Sequence, residues 1–223
     1  MAESPLSQMT IAVLGGTGPQ GRGLARRFAA AGLNVVLGSR SAERAEAAAA
    51  DLAEATGGTV TGADNAGAAA RGDLVLLVVP FDGHAELVAE LAPVLTDKIV
   101  VDCVNPLGFD KQGPFVLDVP EGSAAQQAAA LLPASRVVGA FHNVSAVLLE
   151  DPAVASIDTD VLVVGEDREA CDLVCDLASA IPGVRGVFGG RLRNAGQVEA
   201  LTANLIAINR RHKIHAGIRI TDL

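Results

Sequence analysis

The strongest constraint on how this chain can fold lies near its start. The apolar run Ile11-Ala12-Val13-Leu14 passes without a break into Gly15-Gly16-Thr17-Gly18-Pro19-Gln20-Gly21. Gly16-x-Gly18-x-x-Gly21 alone is a weak signal, but here it follows a strand pattern and opens a helical one, Arg22–Ala31. In that context one glycine permits a tight turn, one lets the backbone approach a ligand, and one lets helix and strand pack closely. The free N–H groups and the dipole of the helix start then suit a pyrophosphate.

Further apolar runs recur at Val35–Leu37, Leu74–Val79, Ile99–Val101, Val137–Phe141 and Val161–Val164. Each is short and nearly continuous, as strands covered on both faces are. Helical patterns alternate with them over Ala42–Ala55, Gly83–Leu95, Ala124–Leu132 and Arg168–Ala180, with Gly32 and Gly57-Gly58 as stops. The alternation predicts an α/β chain of the Rossmann type, with a doubly wound, mainly parallel sheet and right-handed crossovers. After Phe188 it ceases. Gly196–Arg211 reads as one helix with Val198, Leu201, Leu205 and Ile208 on a face. Expected, then, are residues 1–8 as a disordered extension, 9–188 as a dinucleotide-binding domain and 189–223 as a small C-terminal helical appendage. Residues 1–8 lack the charged and apolar regions of a signal peptide, and Met9 is a plausible alternative start.

A length of 223 residues, half of them hydrophobic, is enough for a real core and argues against disorder. No apolar run reaches the roughly 18 residues of a membrane helix. Cys103, Cys171 and Cys175 form no disulfide framework, which predicts a reducing cytoplasm; Cys171 and Cys175, four apart, are expected to share a buried helix face. The net charge of -9 argues against nucleic acid as a partner. Against that background, the segment from Arg185 to Thr221 carries seven cations and the single acid Glu199. It is either a basic face pairing with the acidic body or a second subunit, or a dock for a polyanion.

At the end of the second strand, an NAD site would place Asp or Glu on the ribose hydroxyls. This chain has Gly38-Ser39-Arg40, with Arg44 one helical turn on. Two guanidiniums and a hydroxyl form a pocket for a 2'-phosphate, so the predicted dinucleotide is NADP. Val79-Pro80 and Asn105-Pro106 follow the third and fourth core strands, where open sheets bind ligands, and are expected to wall the nicotinamide.

The absence of tyrosine excludes the short-chain dehydrogenase mechanism, whose proton donor is a tyrosine. The four histidines (His84, His142, His212, His215) are scattered and predict no metal cluster; His212 and His215 read as a solvated basic helix end. His142, in Phe141-His142-Asn143-Val144-Ser145-Ala146, is the best single catalytic candidate, with a structural role equally open. A hydride-transfer enzyme without an acid/base pair is expected if the second substrate is itself a hydride carrier, because the protein then has mainly to stack two rings.

The run Leu14 to Leu24, with Gly-Ser-Arg at the second strand, resembles the reduced coenzyme F420:NADP oxidoreductases, and its actinobacterial members most. Pro80, Val104-Asn105-Pro106, the His142 loop and Val198-Glu199-Ala200-Leu201-Thr202 extend the resemblance over residues 9–220. It implies reversible hydride exchange between NADP and C5 of the 8-hydroxy-5-deazaflavin, coenzyme F420, in a homodimer. By that resemblance Gly16, Thr17, Gly18, Pro19, Gln20 and Gly21 wrap the pyrophosphate and Ser39, Arg40 and Arg44 hold the 2'-phosphate. Val79, Pro80, Asn105, Pro106 and Ala146 meet the nicotinamide half; His142, Asn143, Val144, Ser145, Thr202 and Leu205 border the deazaflavin. The loop Phe81-Asp82-Gly83-His84 is one residue longer than in archaeal members, and Gly196 and Ala200 replace polar residues. The deazaflavin's phosphate and oligoglutamate tail would give Arg191, Arg193, Arg210, Arg211 and Lys213 something to steer. The remaining alternatives are an NADP-dependent reductase of a small imine or keto acid, and a non-catalytic NADP sensor.

Overall fold

The computed structural model describes residues 5–223. Its core is an eight-stranded sheet, built because the β-rich runs are apolar on both faces and helices can cover both. In chain order the elements are β1 (Thr10–Leu14), α1 (Pro19–Ala30), β2 (Asn34–Ser39), α2 (Ala42–Thr56), β3 (Val60–Asp64), α3 (Asn65–Arg71), β4 (Leu74–Leu77), α4 (His84–Leu95) and β5 (Ile99–Asp102). A small hairpin follows, β6 (Leu107–Asp110) and β7 (Gly113–Val116), then α5 (Ala124–Leu131), β8 (Arg136–Gly139), α6 (Ala146–Glu150), β9 (Thr159–Gly165), α7 (Arg168–Ser179), β10 (Val184–Gly190) and α8 (Ala195–His212).

The strand order is β3-β2-β1-β4-β5-β8-β9-β10. All neighbours run parallel except β8 and β9. The chain leaves β1 toward β2 and β3, then returns to place β4 on β1's other side. That reversal opens a crevice beyond the carboxyl ends of β1 and β4. Ile11 to Leu14 and Leu74 to Leu77 are fully buried, so the crevice rests on the most rigid part of the sheet.

Helices close both faces. α1 begins with Pro19 at its first position, where proline's fixed φ suits a helix and its missing N–H is not needed. α2, α3, α5 and α7 are capped by the side chains of Ser41, Asp64, Ser123 and Asp167, each accepting a backbone N–H two or three residues into the helix. α1 lies against α6 so closely that a Cβ on Gly23 would meet the Leu149 Cβ at 2.6 Å. Arg27, almost wholly buried, fixes this contact by donating to the carbonyls of Leu148, Leu149, Asp151 and Val154.

Several expectations need correction. The final apolar strand is not β9, because β10 continues the sheet to Gly190, past the boundary placed at residue 188. Strand β3, the β6–β7 hairpin and helices α3 and α6 were not anticipated. Of the expected extension, Met1–Ser4 lie outside the described residues, while Pro5–Gln8 form a 3-10 turn that buries Leu6 in the core. On α8, Val198 and Leu205 are buried, whereas Ile208 is exposed. Cys171 is buried but Cys175 only half-buried. No helix among the described residues is long and apolar enough to cross a membrane.

Candidate active site

The turn after β1 is shaped by contacts that only glycine tolerates. Gly15 has φ +75, and a Cβ on it would lie 2.2 Å from the Val78 carbonyl oxygen. A Cβ on Gly21 would lie 2.6 Å from the Gly15 carbonyl oxygen. The backbone amides of Gln20 and Gly21, in the first turn of α1, find no acceptor among the described residues, and Gly18 caps the helix with no side chain. Two unused donors at the positive end of a helix dipole fit a pyrophosphate.

Beside this turn, β2 ends at Ser39, almost fully buried, and is followed by the exposed Arg40 and Arg44. Neither arginine has a carboxylate partner among the described residues. The nearest acid on the neighbouring strand, Asp64, is paired in register with Ser39, but its carboxylate is turned to the Gly67 amide. The end of β2 therefore presents two arginines and a hydroxyl, with Glu43 close by in sequence but no ion pair to either arginine among the described residues, which fits a 2'-phosphate better than a bare ribose.

The crevice itself has a volume of about 600 Å³. Gly18 to Gly21 form one wall, Val78 to Phe81 and Cys103 to Asn105 the floor, His142 to Val147 the opposite wall, and Thr202, Leu205, Ile206 and Asn209 of α8 the roof. A second lobe of about 860 Å³ opens from it past Pro80, Phe81, Asn105, Thr202 and Ile206, toward the hairpin residues Leu107 and Phe109. Of the residues read from the sequence, Pro106 stays out of both lobes; it is buried under the hairpin and its carbonyl accepts the Leu117 amide. Gly16 and Thr17 lie at the turn, outside the lobes.

The wall from Phe141 to Ser145 is held from three sides. Phe141 adopts φ +63, a conformation that L side chains rarely take, with its ring edge-on to Phe28 at 6.0 Å. The Gln20 side chain donates to its carbonyl at 3.2 Å, tying the glycine turn to the facing wall. The His142 carbonyl accepts from Asn105 Nδ2 at 3.0 Å and from Thr202 Oγ1 at 2.9 Å, while Asn143 Nδ2 donates to the Asp160 carbonyl at 2.9 Å. Asn105, Thr202 and Asn143 thus orient a loop, through bonds that the sequence did not disclose.

His142 does not present its imidazole as an acid would. The ring is 3 % exposed, neither ring nitrogen has a partner, and burial pushes its pKa down to about 4 although nearby Asp102 opposes this. It is neutral at neutral pH and contributes its carbonyl. Cys103 is likewise no nucleophile, since burial holds its thiol well above the ordinary value.

Beneath the floor lies a buried polar cluster with no signature in the sequence. His84 Nε2 and Asp102 Oδ2 are 2.6 Å apart, both side chains fully buried, and Gln127 meets His84 Nδ1 at 3.1 Å. Burial alone would lower the His84 pKa, but the Asp102 hydrogen bond and charge carry it above the usual value. The other Asp102 oxygen accepts the Val104 amide at 3.0 Å and shapes the turn that delivers Asn105. Glu199 of α8 accepts the amides of Ala124 and Ala125 at 2.9 and 3.1 Å, joining α8 to the start of α5. Burial pushes its pKa up to about 7 against those two bonds. These groups stay beneath the floor: the first lobe is lined mainly by apolar residues with hydrogen-bonding edges and no carboxylate, with His215 its exposed imidazole, while Asp82 and Glu86 line the second lobe.

Comparison with known proteins agrees with this geometry. The family model described as "NADP oxidoreductase coenzyme F420-dependent" matches residues 10–106. The F420-dependent NADP reductase of Methanothermobacter thermautotrophicus is 42% identical over 223 residues, covering 96% of each chain. That of Methanocaldococcus jannaschii is 40% identical, over 96% of this chain and 99% of its own. A crystal structure from Arthrobacter sp. FB24, assigned provisionally to the same reductases, superposes with a TM-score of 0.78 at 28% identity, covering 96% of this chain and 99% of the other.

Proposed function

Because the chain belongs to the family of coenzyme F420-dependent NADP reductases, we propose that it carries a hydride reversibly between NADP and coenzyme F420. The hydride would pass between the nicotinamide of NADP and C5 of the deazaflavin, and one proton would be exchanged with solvent, released when the deazaflavin is oxidised and taken up when it is reduced.

The observation that carries this reading is the shape of the crevice. At one end stand the unused amides of Gln20 and Gly21; the unpaired Arg40 and Arg44 lie outside both lobes, past the end of β2 beside the glycine turn. At the other is a two-lobed space whose first lobe holds no carboxylate: of its titratable linings His142 and Cys103 are buried and His215 is exposed, and Asp82 and Glu86 line the second lobe. The chain's own residues bind, orient and exclude water. The glycine turn and arginines anchor the NADP side, Val79, Pro80, Asn105 and Ala146 take the nicotinamide half, and Val144, Ser145, Thr202 and Leu205 border the deazaflavin. Holding two rings at reacting distance converts an encounter into an internal step, which in well-oriented cases can supply up to roughly 7–11 kcal/mol of the barrier lowering.

In this division of labour the sheet body, through the end of β10 at Gly190, holds NADP, and the C-terminal segment beyond it, mainly α8, completes the second-substrate side. The reading also makes the protein a cytoplasmic homodimer, supported by the exposed apolar Phe109, Phe115 and Val116 on the hairpin. Mixing the protein with NADPH and oxidised coenzyme F420 tests it: the deazaflavin's visible absorbance should bleach, and recover on excess NADP. Tight NADPH binding without turnover would favour a sensor, and turnover only of an imine or keto acid would favour the other reductases.

A further inference from the structure

Helix α8 ends at Lys213 in a left-handed turn, φ 54, and the chain doubles back on it: the Ala216 amide donates to Asn209 Oδ1 at 2.6 Å. The tail then crosses the carboxyl edge of the sheet and is clamped to the start of β9. The Asp160 amide donates to the Ile218 carbonyl at 2.7 Å, and Thr159 Oγ1 accepts from the Ile218 amide at 3.2 Å. A Cβ on Gly217 would sit 2.4 Å from that same Oγ1, so the approach depends on glycine. The Asp160 carboxylate, wholly buried, accepts two bonds from Arg185 at 2.7 Å, one from Arg219 at 2.7 Å and one from the Ile220 amide at 2.6 Å. Arg219 also pairs with Asp158.

These anchors hold residues 216–220 and leave Ile214 and His215 spanning between them and the end of α8. His215 and Ala216 line the crevice, and His215 Nδ1 lies 3.4 Å from Ser145 Oγ on the facing wall. Asp160 joins strap and wall, since its own carbonyl accepts Asn143 Nδ2. A tail that served only to finish the sheet would need no imidazole over the crevice.

We propose that residues 214–220 are a strap that walls the second-substrate half of the crevice, and that His215 touches the polar edge of the heterocycle bound there. This rests on coenzyme F420 being that substrate. With Nδ1 on Ser145, Nε2 is left to meet a carbonyl or hydroxyl of a flat, anionic ring, and the strap's two anchored ends fix its position in advance of binding.

The test is a fluorescence titration of wild type, His215→Ala and Gly217→Val with oxidised coenzyme F420 and, separately, with NADPH. Loss of one ligand hydrogen bond should weaken coenzyme F420 roughly tenfold in His215→Ala and leave NADPH unchanged. Gly217→Val should weaken coenzyme F420 at least as much and speed amide exchange at Ile218 and Ile220. Unchanged coenzyme F420 affinity in His215→Ala, an exposed position whose replacement spares the fold, would overturn the strap alone. Equal weakening of NADPH would overturn the assignment to the second substrate. Wild type that binds no coenzyme F420 would overturn the functional reading, and this inference with it.

Discussion

Side chains around this site are of two kinds, charged groups left without an ion-pair partner and buried groups that hold one another. Arg40 and Arg44 belong to the first kind: they stand where a carboxylate is expected, and the structure leaves them unpaired. Replacing both by serine should weaken NADPH by about 3 kcal/mol, since a charge-assisted phosphate contact contributes roughly 1.5–3, and leave NADH nearly unaffected; equal losses in titrations with both would remove the 2'-phosphate assignment. His84 and Asp102 belong to the second kind. Asp102→Asn strands a buried imidazole and loosens the turn before Asn105, and should cost about 3 kcal/mol in denaturant unfolding. Glu199 gives a pH signature. Its pKa of about 7 in the fold exceeds its ordinary value of 4.5, so through that window the native state keeps a proton that the unfolded chain has lost. Stability should therefore fall as pH rises from 4.5 to 7. Glu199→Gln removes that loss, so its melting temperature relative to wild type should rise by roughly 5 °C between about pH 5 and pH 8. His142 has the opposite sign: its pKa drops from 6.5 to about 4, so its contribution is lost as pH falls through that range.

At the scale of elements, the central strands and the first helix were legible because burial on both faces leaves a continuous apolar run that a sequence displays directly. The elements missed share a physical cause. β3 is an edge strand with Thr61 and Gly62, β10 carries Arg185 and three glycines, and the β6–β7 hairpin contains Pro114 and exposed phenylalanines. Partial burial erases the pattern on which such reading depends. α8 was legible as a helix, but not its docking. Gly196, which from sequence looked like an unexplained loss of a polar residue, lies where a Cβ would meet the Gly122 carbonyl oxygen at 2.7 Å. Backbone cannot yield as a side-chain tip does. Gly196→Ala should therefore destabilise by about 1–2 kcal/mol, measured by thermal unfolding, and raise KM for coenzyme F420 because α8 carries Thr202 and Leu205. An unchanged melting temperature would mean that α8 does not approach the Gly122 turn this closely.

For the molecule as a whole, charge is distributed less simply than a count suggests. Within the basic C-terminal segment Arg185 and Arg219 are bound to buried Asp160, whose carboxylate they hold well below the usual range, and Arg191 pairs with Glu166. Arg193, Arg210, Arg211 and Lys213 remain exposed with no carboxylate partner among the described residues, although Arg210 lies over the Phe109 ring. These four are the cations left to steer an anionic tail. Arg210→Ser with Arg211→Ser should raise KM for coenzyme F420 several-fold at low salt and flatten its salt dependence, with KM for NADPH unmoved; a salt response like wild type's would remove them from steering. The sequence by itself determined the nucleotide turn, the cationic end of β2, the alternation that makes the sheet and the absence of a tyrosine acid, because each is written in contiguous residues or in composition. Only the tertiary structure decided that His142 is sealed and neutral, that Gln20 and Thr202 brace the facing wall, that His84 pairs with Asp102, and that the tail returns to the crevice. Those contacts join residues 18 to 121 positions apart, and nothing local in a sequence records which distant partners a fold will bring within a hydrogen bond.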